Sequence, residues 1–285
     1  MIAPEGDAPA RALAYSPDSA WLAVAQACGT IRVLDGYGSA AVSLASKPIP
    51  DRCGLSWNST STELFVGSTH AALRIGVPGG RAAELRLSGE AVPNVCDLVH
   101  LSDALLAFAT NTRLQLFDLK QGKPLVGSRV EPRGIRALAV HRASKQLAWT
   151  TGEQRLRIWP ITSRDVADAP IGKPTGPIAI SPDGSTIAVG VDWTVRLFAK
   201  NSRTSNVELL GHKGRVTGLA FTADGRHLYS CSYDRTVRGW DLAAKAERSQ
   251  FDPQLGPLTC LAVSPDGTRL AVGGSEGPFA AFDLE

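Results

Sequence analysis

Short runs in which apolar and polar residues alternate fill the chain, and they recur at a nearly fixed interval. Aligned on the apolar residue that opens the second run of each unit, the series Leu22, Leu64, Leu105, Leu147, Ile187, Leu228, Leu270 advances by 42, 41, 42, 40, 41 and 42 residues. Alternation of period two predicts half-buried β-strands. A repeat of this length over the whole chain predicts a supersecondary unit that buries its apolar face only by stacking on its neighbours. Seven units result, at 9–45, 46–88, 89–127, 128–165, 166–210, 211–251 and 252–285.

The sixth unit is the clearest. Thr217 to Phe221 reads as a first strand, Thr222-Ala223-Asp224-Gly225 as a turn, Leu228 to Ser232 as a second strand, Tyr233-Asp234-Arg235 as another turn and Val237 to Trp240 as a third strand. The first turn returns as Ser181-Pro182-Asp183-Gly184, Ser264-Pro265-Asp266-Gly267 and Ser16-Pro17-Asp18-Ser19. Proline fixes φ, aspartate bonds nearby backbone and glycine accepts positive φ, so these are hairpin turns. A more polar run follows most units, for example Val207 to Leu210, and suits an outer edge strand.

With Gly211-His212 at its start and Trp240-Asp241 at its end, unit six resembles the WD-repeat family, and the resemblance extends over residues 9 to 285. It implies an all-β fold, a seven-bladed β-propeller of four-stranded antiparallel blades around a central channel. It also implies a structural hydrogen-bond network in which His212 bonds Asp234 and Ser230, and the Trp240 indole reaches Ser230. The other units depart from the pattern. At the aspartate position stand Cys28, His70, Asn111, Glu153 and Glu276; at the tryptophan position stand Leu34, Gly76, Phe117, Phe198 and Phe282, with Trp159 kept in unit four. Units one to three are therefore expected to rely on apolar packing, and unit two, with Gly76 and Pro78, to be the least stable. The final unit ends after a third strand, so residues 2 to 7 are expected to complete it, or else the chain is one domain of a longer polypeptide.

The composition, 44% hydrophobic and 20% charged, is that of a globular protein, and no run of eighteen apolar residues predicts a membrane helix. The N-terminal residues lack the basic start and apolar run of a signal peptide, which leads to an expectation of a cytoplasmic protein, nuclear residence being compatible. The five cysteines have no metal-ligand spacing and read as buried free thiols. The sequon Asn58-Ser59-Thr60 reads as a turn.

Net charge is only +3, yet residues 119 to 164 carry ten basic side chains against Glu131 and Glu153. Lys120, Lys123, Arg142 and Lys145 fall in turns on one face and form a candidate basic surface for an acidic partner. Few aromatics interleave with them, so nucleic acid is not expected. Arginines at Arg32, Arg74, Arg157, Arg196 and Arg238 recur two residues before the tryptophan position and read as a feature of the repeat, their stems lying on apolar surface.

Candidate chemistry is sparse. Gly273-Gly274-Ser275-Glu276-Gly277 matches a nucleophile pattern, but it lies between two strands rather than before a helix, with no histidine downstream. Phosphate-loop and His-Glu-x-x-His patterns are absent, and the histidines fall in different units. Catalytic, cofactor and metal residues are therefore not assigned. Trp193 and Tyr233 are large groups at hairpin tips where the turn requires none, and with Arg215 beside the channel they form the candidate partner-binding face. The reading is a non-enzymatic interaction scaffold for peptides or domains of other proteins, monomeric by itself or part of a complex. The alternatives are a propeller enzyme with a channel-mouth site and a sensory or targeting domain of a longer chain.

Overall fold

The computed structural model describes residues 8–36, 40–45, 53–67, 72–78, 82–87, 90–91, 95–125, 129–163, 165–173, 175–200, 202, 204–277 and 279–284. In them, each sequence turn closes a hairpin with the same bonds. The Ser181 hydroxyl donates to Asp183 Oδ1 (2.5 Å) and accepts the Thr186 amide (2.9 Å), and Asp183 Oδ1 accepts the Ser185 amide (3.0 Å). Ser16 with Asp18, Thr222 with Asp224 and Ser264 with Asp266 repeat the arrangement. Gly184, Gly225 and Gly267 hold φ of 70°, 68° and 74°, the left-handed region that glycine enters without steric cost. Ser19 stands there at 61°, and its hydroxyl accepts the Asp266 amide from the far end of the chain (3.0 Å). In the second unit Asn58 substitutes for the serine. Its Oδ1 accepts the amides of Thr62 and Glu63, and its Nδ2 donates to the hydroxyls of Thr60 and Thr62. The sequon is thus a turn whose amide is fully engaged.

These hairpins build seven antiparallel sheets, each from consecutive strands. Blades one, four, five and six have four strands, blades two and three have five, and blade seven has three among the described residues. The first strands are Ala10–Tyr15, Gly54–Trp57, Val95–Ser102, Ile135–His141, Thr175–Ile180, Val216–Phe221 and Leu258–Val263. Each packs on the next, and the last packs on the first, around a central channel of about 520 Å³. The fold is a seven-bladed β-propeller. Its core is not one cluster but seven, each shared by two neighbouring blades: Ala23 and Ile31 of blade one meet Trp57 and Ile75 of blade two, and Leu22 and Val24 meet Cys260 and Phe279 of blade seven. No blade buries its apolar face alone.

Strand register corrects two of the sequence assignments. In blade two Leu64 lies opposite Ile75, not Gly76, and in blade three Leu106, not Leu105, lies opposite Phe117. The cause is hairpin length. Four residues separate Gly67 from Ala72 and Ala109 from Leu114, whereas five separate Cys231 from Val237. The tryptophan position of blade two is therefore filled by a fully buried isoleucine, and the argument from Gly76 for a weak blade falls. Arg74 also leaves the arginine series: it lies opposite Phe65 and pairs with Glu63, because a one-residue slip reverses the face.

The face bearing the second hairpins is called the entry face below, since each first strand begins there; the Ser-Pro-Asp-Gly turns lie on the opposite face. Closure by residues 2 to 7, and the positions of His70 and Arg164, lie outside the described residues.

Candidate functional site

In blade six the buried network has a defined polarity. The Trp240 indole N–H can only donate, and it does so to Ser230 Oγ at 2.8 Å. The Ser230 hydroxyl is then free to donate to His212 Nε2 (2.8 Å), leaving the ring proton on Nδ1 for Asp234 Oδ2 (2.9 Å). Asp234 also accepts the Lys213 and Thr236 amides and the Thr236 hydroxyl, and these bonds hold its carboxyl down to about 2 against the opposing effect of burial. Burial lowers the His212 pKa, outweighing the neighbouring carboxylate, so the imidazole is neutral at pH 7. The sequence of aspartate, histidine and serine has the connectivity of a nucleophilic triad. However, Ser230 is completely buried and accepts from the indole, so no substrate reaches it. It is a structural clamp joining the entry loop, the second strand and the third.

The channel mouth is built by a recurring irregularity. In blades one, three, four, five, six and seven the first ladder slips near its start. Such a bulge turns an extra side chain out of the ladder. The residues there include Arg11, Cys96, Arg136, Thr217 and Thr259, and all of them line the channel. The threonines tie blades together: Thr217 donates to the Leu258 carbonyl (2.9 Å) and Thr259 to the Ala10 carbonyl (2.7 Å).

Among the described residues, Arg11, Arg136 and Arg215 are the arginines that line the channel, and Asp97 is the carboxylate. Asp97 ties two blades through backbone amides. Oδ1 accepts the Leu98 amide (2.9 Å) and Oδ2 the Leu138 amide of the next blade (2.7 Å).

Of the sequence candidates, Tyr233 lines this channel and is 52% exposed, and Trp193 stands at the adjacent hairpin tip with 56% of its surface open. The large exposed hydrophobics among the described residues are Val130, Trp193, Leu210 and Tyr233. All lie at strand ends on the entry face, Val130 opposite Arg113 and Leu210 just beyond the Leu209–Val195 pair. The structure thus brings Trp193, Arg215 and Tyr233 to one face and adds Arg11 and Arg136, which sequence reasoning missed. Their signal was a shared tetrapeptide, Arg11-Ala12-Leu13-Ala14 and Arg136-Ala137-Leu138-Ala139, at the same point of two repeats.

The candidate basic surface does not hold together as read. Lys120 and Lys145 are exposed in turns, and Lys123 is exposed on a short strand paired with Asp118 instead of in a turn, but Arg142 is a structural tie: Nε donates to the His100 carbonyl (3.0 Å) and Nη2 to the Trp57 carbonyl (2.7 Å), joining blade four to blades three and two. The recurrent arginines mostly meet carboxylates across the strands. Arg196 Nε lies 2.8 Å from Glu208, Arg157 approaches both Glu131 and Asp168, and Arg238 pairs with Glu247. Glu131, buried, also accepts the Trp149 indole (3.0 Å), giving blade four a polar link of its own. All five cysteines are free, but Cys28 is exposed on a hairpin and Cys53 is only half-buried, correcting the expectation that all are buried. Ser275 is exposed in a bend between two strands. Among the described residues no group of three His, Cys, Asp or Glu side chains could hold a metal ion.

Comparison with known proteins places these features in context. The profile of the family described as "WD domain, G-beta repeat" matches residues 5–35, 203–241 and 248–277. An uncharacterized WD repeat-containing protein, sll1491, of Synechocystis sp. is 29% identical over 143 residues, 49% of this chain and 41% of that protein. The target of rapamycin complex subunit wat1 of Schizosaccharomyces pombe is 30% identical over 141 residues, 46% of this chain and 43% of the relative. WD repeat-containing protein 1 of Bos taurus is 38% identical over 103 residues, 35% of this chain and 17% of that protein. In each case the match spans less than half of the relative.

Proposed function

Since the chain belongs to the WD-repeat family, we propose that it is a non-enzymatic interaction module that holds an acidic segment of a partner protein over the entry face of its channel. The observation that carries this reading is the meeting of three arginines, Arg11, Arg136 and Arg215, with the open ring of Tyr233 around the channel and the open ring of Trp193 at the adjacent hairpin tip. Rigid aromatic anchors supply contact area, and arginine supplies bidentate recognition of carboxylates. Relatives named as subunits of target of rapamycin complexes support a place in a multiprotein assembly. A reducing compartment such as the cytoplasm suits the five free cysteines.

The test is co-purification from the native cell at low and high salt, comparing wild type with a folded Trp193→Ala, Arg215→Glu, Tyr233→Ala variant. A partner lost both in the variant and at high salt is expected. Partners retained by the variant would remove the entry face from consideration.

A further inference from the structure

A second surface lies on the opposite face, in the groove between blades five and six. Neighbouring blades leave such a groove where the third strand of one meets the first turn of the next, and the molecule shows it in two states. Between blades seven and one it is nearly filled, with about 20 Å³ left. The filling group is Arg269, whose Nη1 crosses the blade boundary to donate to the Gly36 carbonyl at 3.0 Å, with Asp266 close enough to feel its charge. Between blades five and six the groove is open, at about 610 Å³.

The two are built on equivalent positions. Register and turn alignment set Thr186 where blade seven has Arg269, Leu197 where it has Ala281, and Leu242 where blade one has Gly36. Asp183 is the counterpart of Asp266. The carboxylate is thus kept, while the side chain that would fill the groove is a threonine, four atoms shorter than the arginine that crosses it. Leu197, Val207 and Leu242 give apolar walls, and Asp183 and Asp224 set two negative charges at the rim against the exposed Lys245.

We propose that this groove is a docking site for an arginine side chain carried on an extended segment of a partner protein. Arg269 is the internal precedent for an arginine lying in such a groove beside a carboxylate, its stem along apolar walls; with Leu242 in place of Gly36, the head of a docked arginine is directed to the rim carboxylates instead of to the carbonyl at the far side. Asp183 and Asp224 supply the charge complement. Their carboxyls sit below the ordinary range, Asp183 at about 2 through its bonds to Ser181 and Ser185, so both are ionised at pH 7. The site is independent of the entry face and lies on the other side of the ring.

The probe is a peptide of the chain's own Gly267-Thr268-Arg269-Leu270-Ala271 sequence, capped at both ends, added at millimolar concentration to the full chain and followed by amide chemical shifts. Shifts confined to residues 181–186, 206–207 and 223–225 are expected, with affinity roughly tenfold weaker when the peptide arginine is alanine, as the loss of a charge-assisted bond requires. Thr186→Arg should fill the groove from within and abolish binding, and Ala223→Trp should block it from the exposed turn, so that two unrelated variants test the site. The Trp193→Ala, Arg215→Glu, Tyr233→Ala variant should bind the peptide as wild type does. No shift in the wild type, or binding undiminished in both blocked variants, would overturn the proposal; equal binding of the alanine peptide would overturn it in favour of a purely apolar segment.

Discussion

At the residue scale, stability rests on a few buried polar groups with no spare partners. Replacing His212 by alanine leaves Ser230 and Asp234 without their shared neighbour, and Trp240→Phe removes the donor to Ser230; either should cost about 1 to 3 kcal/mol in denaturant unfolding. Unchanged unfolding midpoints would mean that the clamp contributes nothing. His100 is the more sensitive titrating group. It is buried, stacked on Phe65 with ring centroids 5.4 Å apart, and burial together with the Arg142 charge lowers its pKa from 6.5 to about 4. A histidine depressed in the folded state contributes stability that is full above pH 6.5 and is lost as pH falls toward 4, because the unfolded chain takes up the proton first. His212 is shifted in the same direction. Stability of the wild type should therefore fall from pH 6.5 to 4, with a slope of up to about 1.4 kcal/mol per pH unit from His100 and a contribution of the same sign from His212. His100→Leu should flatten the profile, and an identical slope in the variant would exclude His100 as its source. The blade-six clamp was readable because its four members stand at family positions. The roles of Arg142 and His100 were not, because each depends on neighbours in other repeats, at distances along the chain that no local pattern encodes.

At the scale of the element, the first turn carries more of the fold than its exposed position suggests. In blade seven the Ser264 hydroxyl both donates to Asp266 and accepts the Arg269 amide, and Asp266 in turn bonds the Thr268 amide and hydroxyl. Ser264→Ala breaks the first two of these bonds at a residue that is almost fully buried, so a loss of about 1 to 2 kcal/mol is expected in thermal or denaturant unfolding. A variant as stable as wild type would show that proline and glycine alone fix the turn. This element was legible in the sequence because its chemistry is local: hydroxyl, proline, aspartate and glycine at successive positions determine one conformation. The third strands were less so. Counting twelve residues from the opening leucine in units two and three misplaced Ile75 and displaced Leu106, because hairpin tips change length without any mark in the alternation on either side. An observer with only the sequence sees the apolar positions, but the register that pairs them is set by the tip.

At the scale of the whole molecule, the ring is closed by contacts between its two ends. Ala10, Leu13 and Val24 pack against Cys260, Ala262 and Phe279, and polar links cross the same boundary: Thr259 and the Cys260 thiol to the Ala10 carbonyl, the Asp266 amide to Ser19, and Arg269 to the Gly36 carbonyl. The seven-fold repeat was evident from spacing, but which contacts close the circle was not, since blade seven must meet blade one across nearly the whole chain. A propeller has no lone core to fall back on, and each interface is shared by two blades. Weakening this one boundary should therefore loosen both terminal blades rather than a single hairpin. Thr259→Val keeps the shape of the side chain and removes its bond to Ala10, leaving that carbonyl without the hydroxyl. The expected result is a loss of about 1 kcal/mol, with hydrogen exchange accelerated in the first strands of blades one and seven and unchanged in blades three and four. The equivalent change in blade six, Thr217→Val, removes an analogous bond to Leu258 at an interior boundary. Because that boundary joins blades continuous in sequence, its loss should leave exchange in blade one unaltered. Equal effects of the two substitutions on blade one would mean that the ends are held no differently from any other pair of blades.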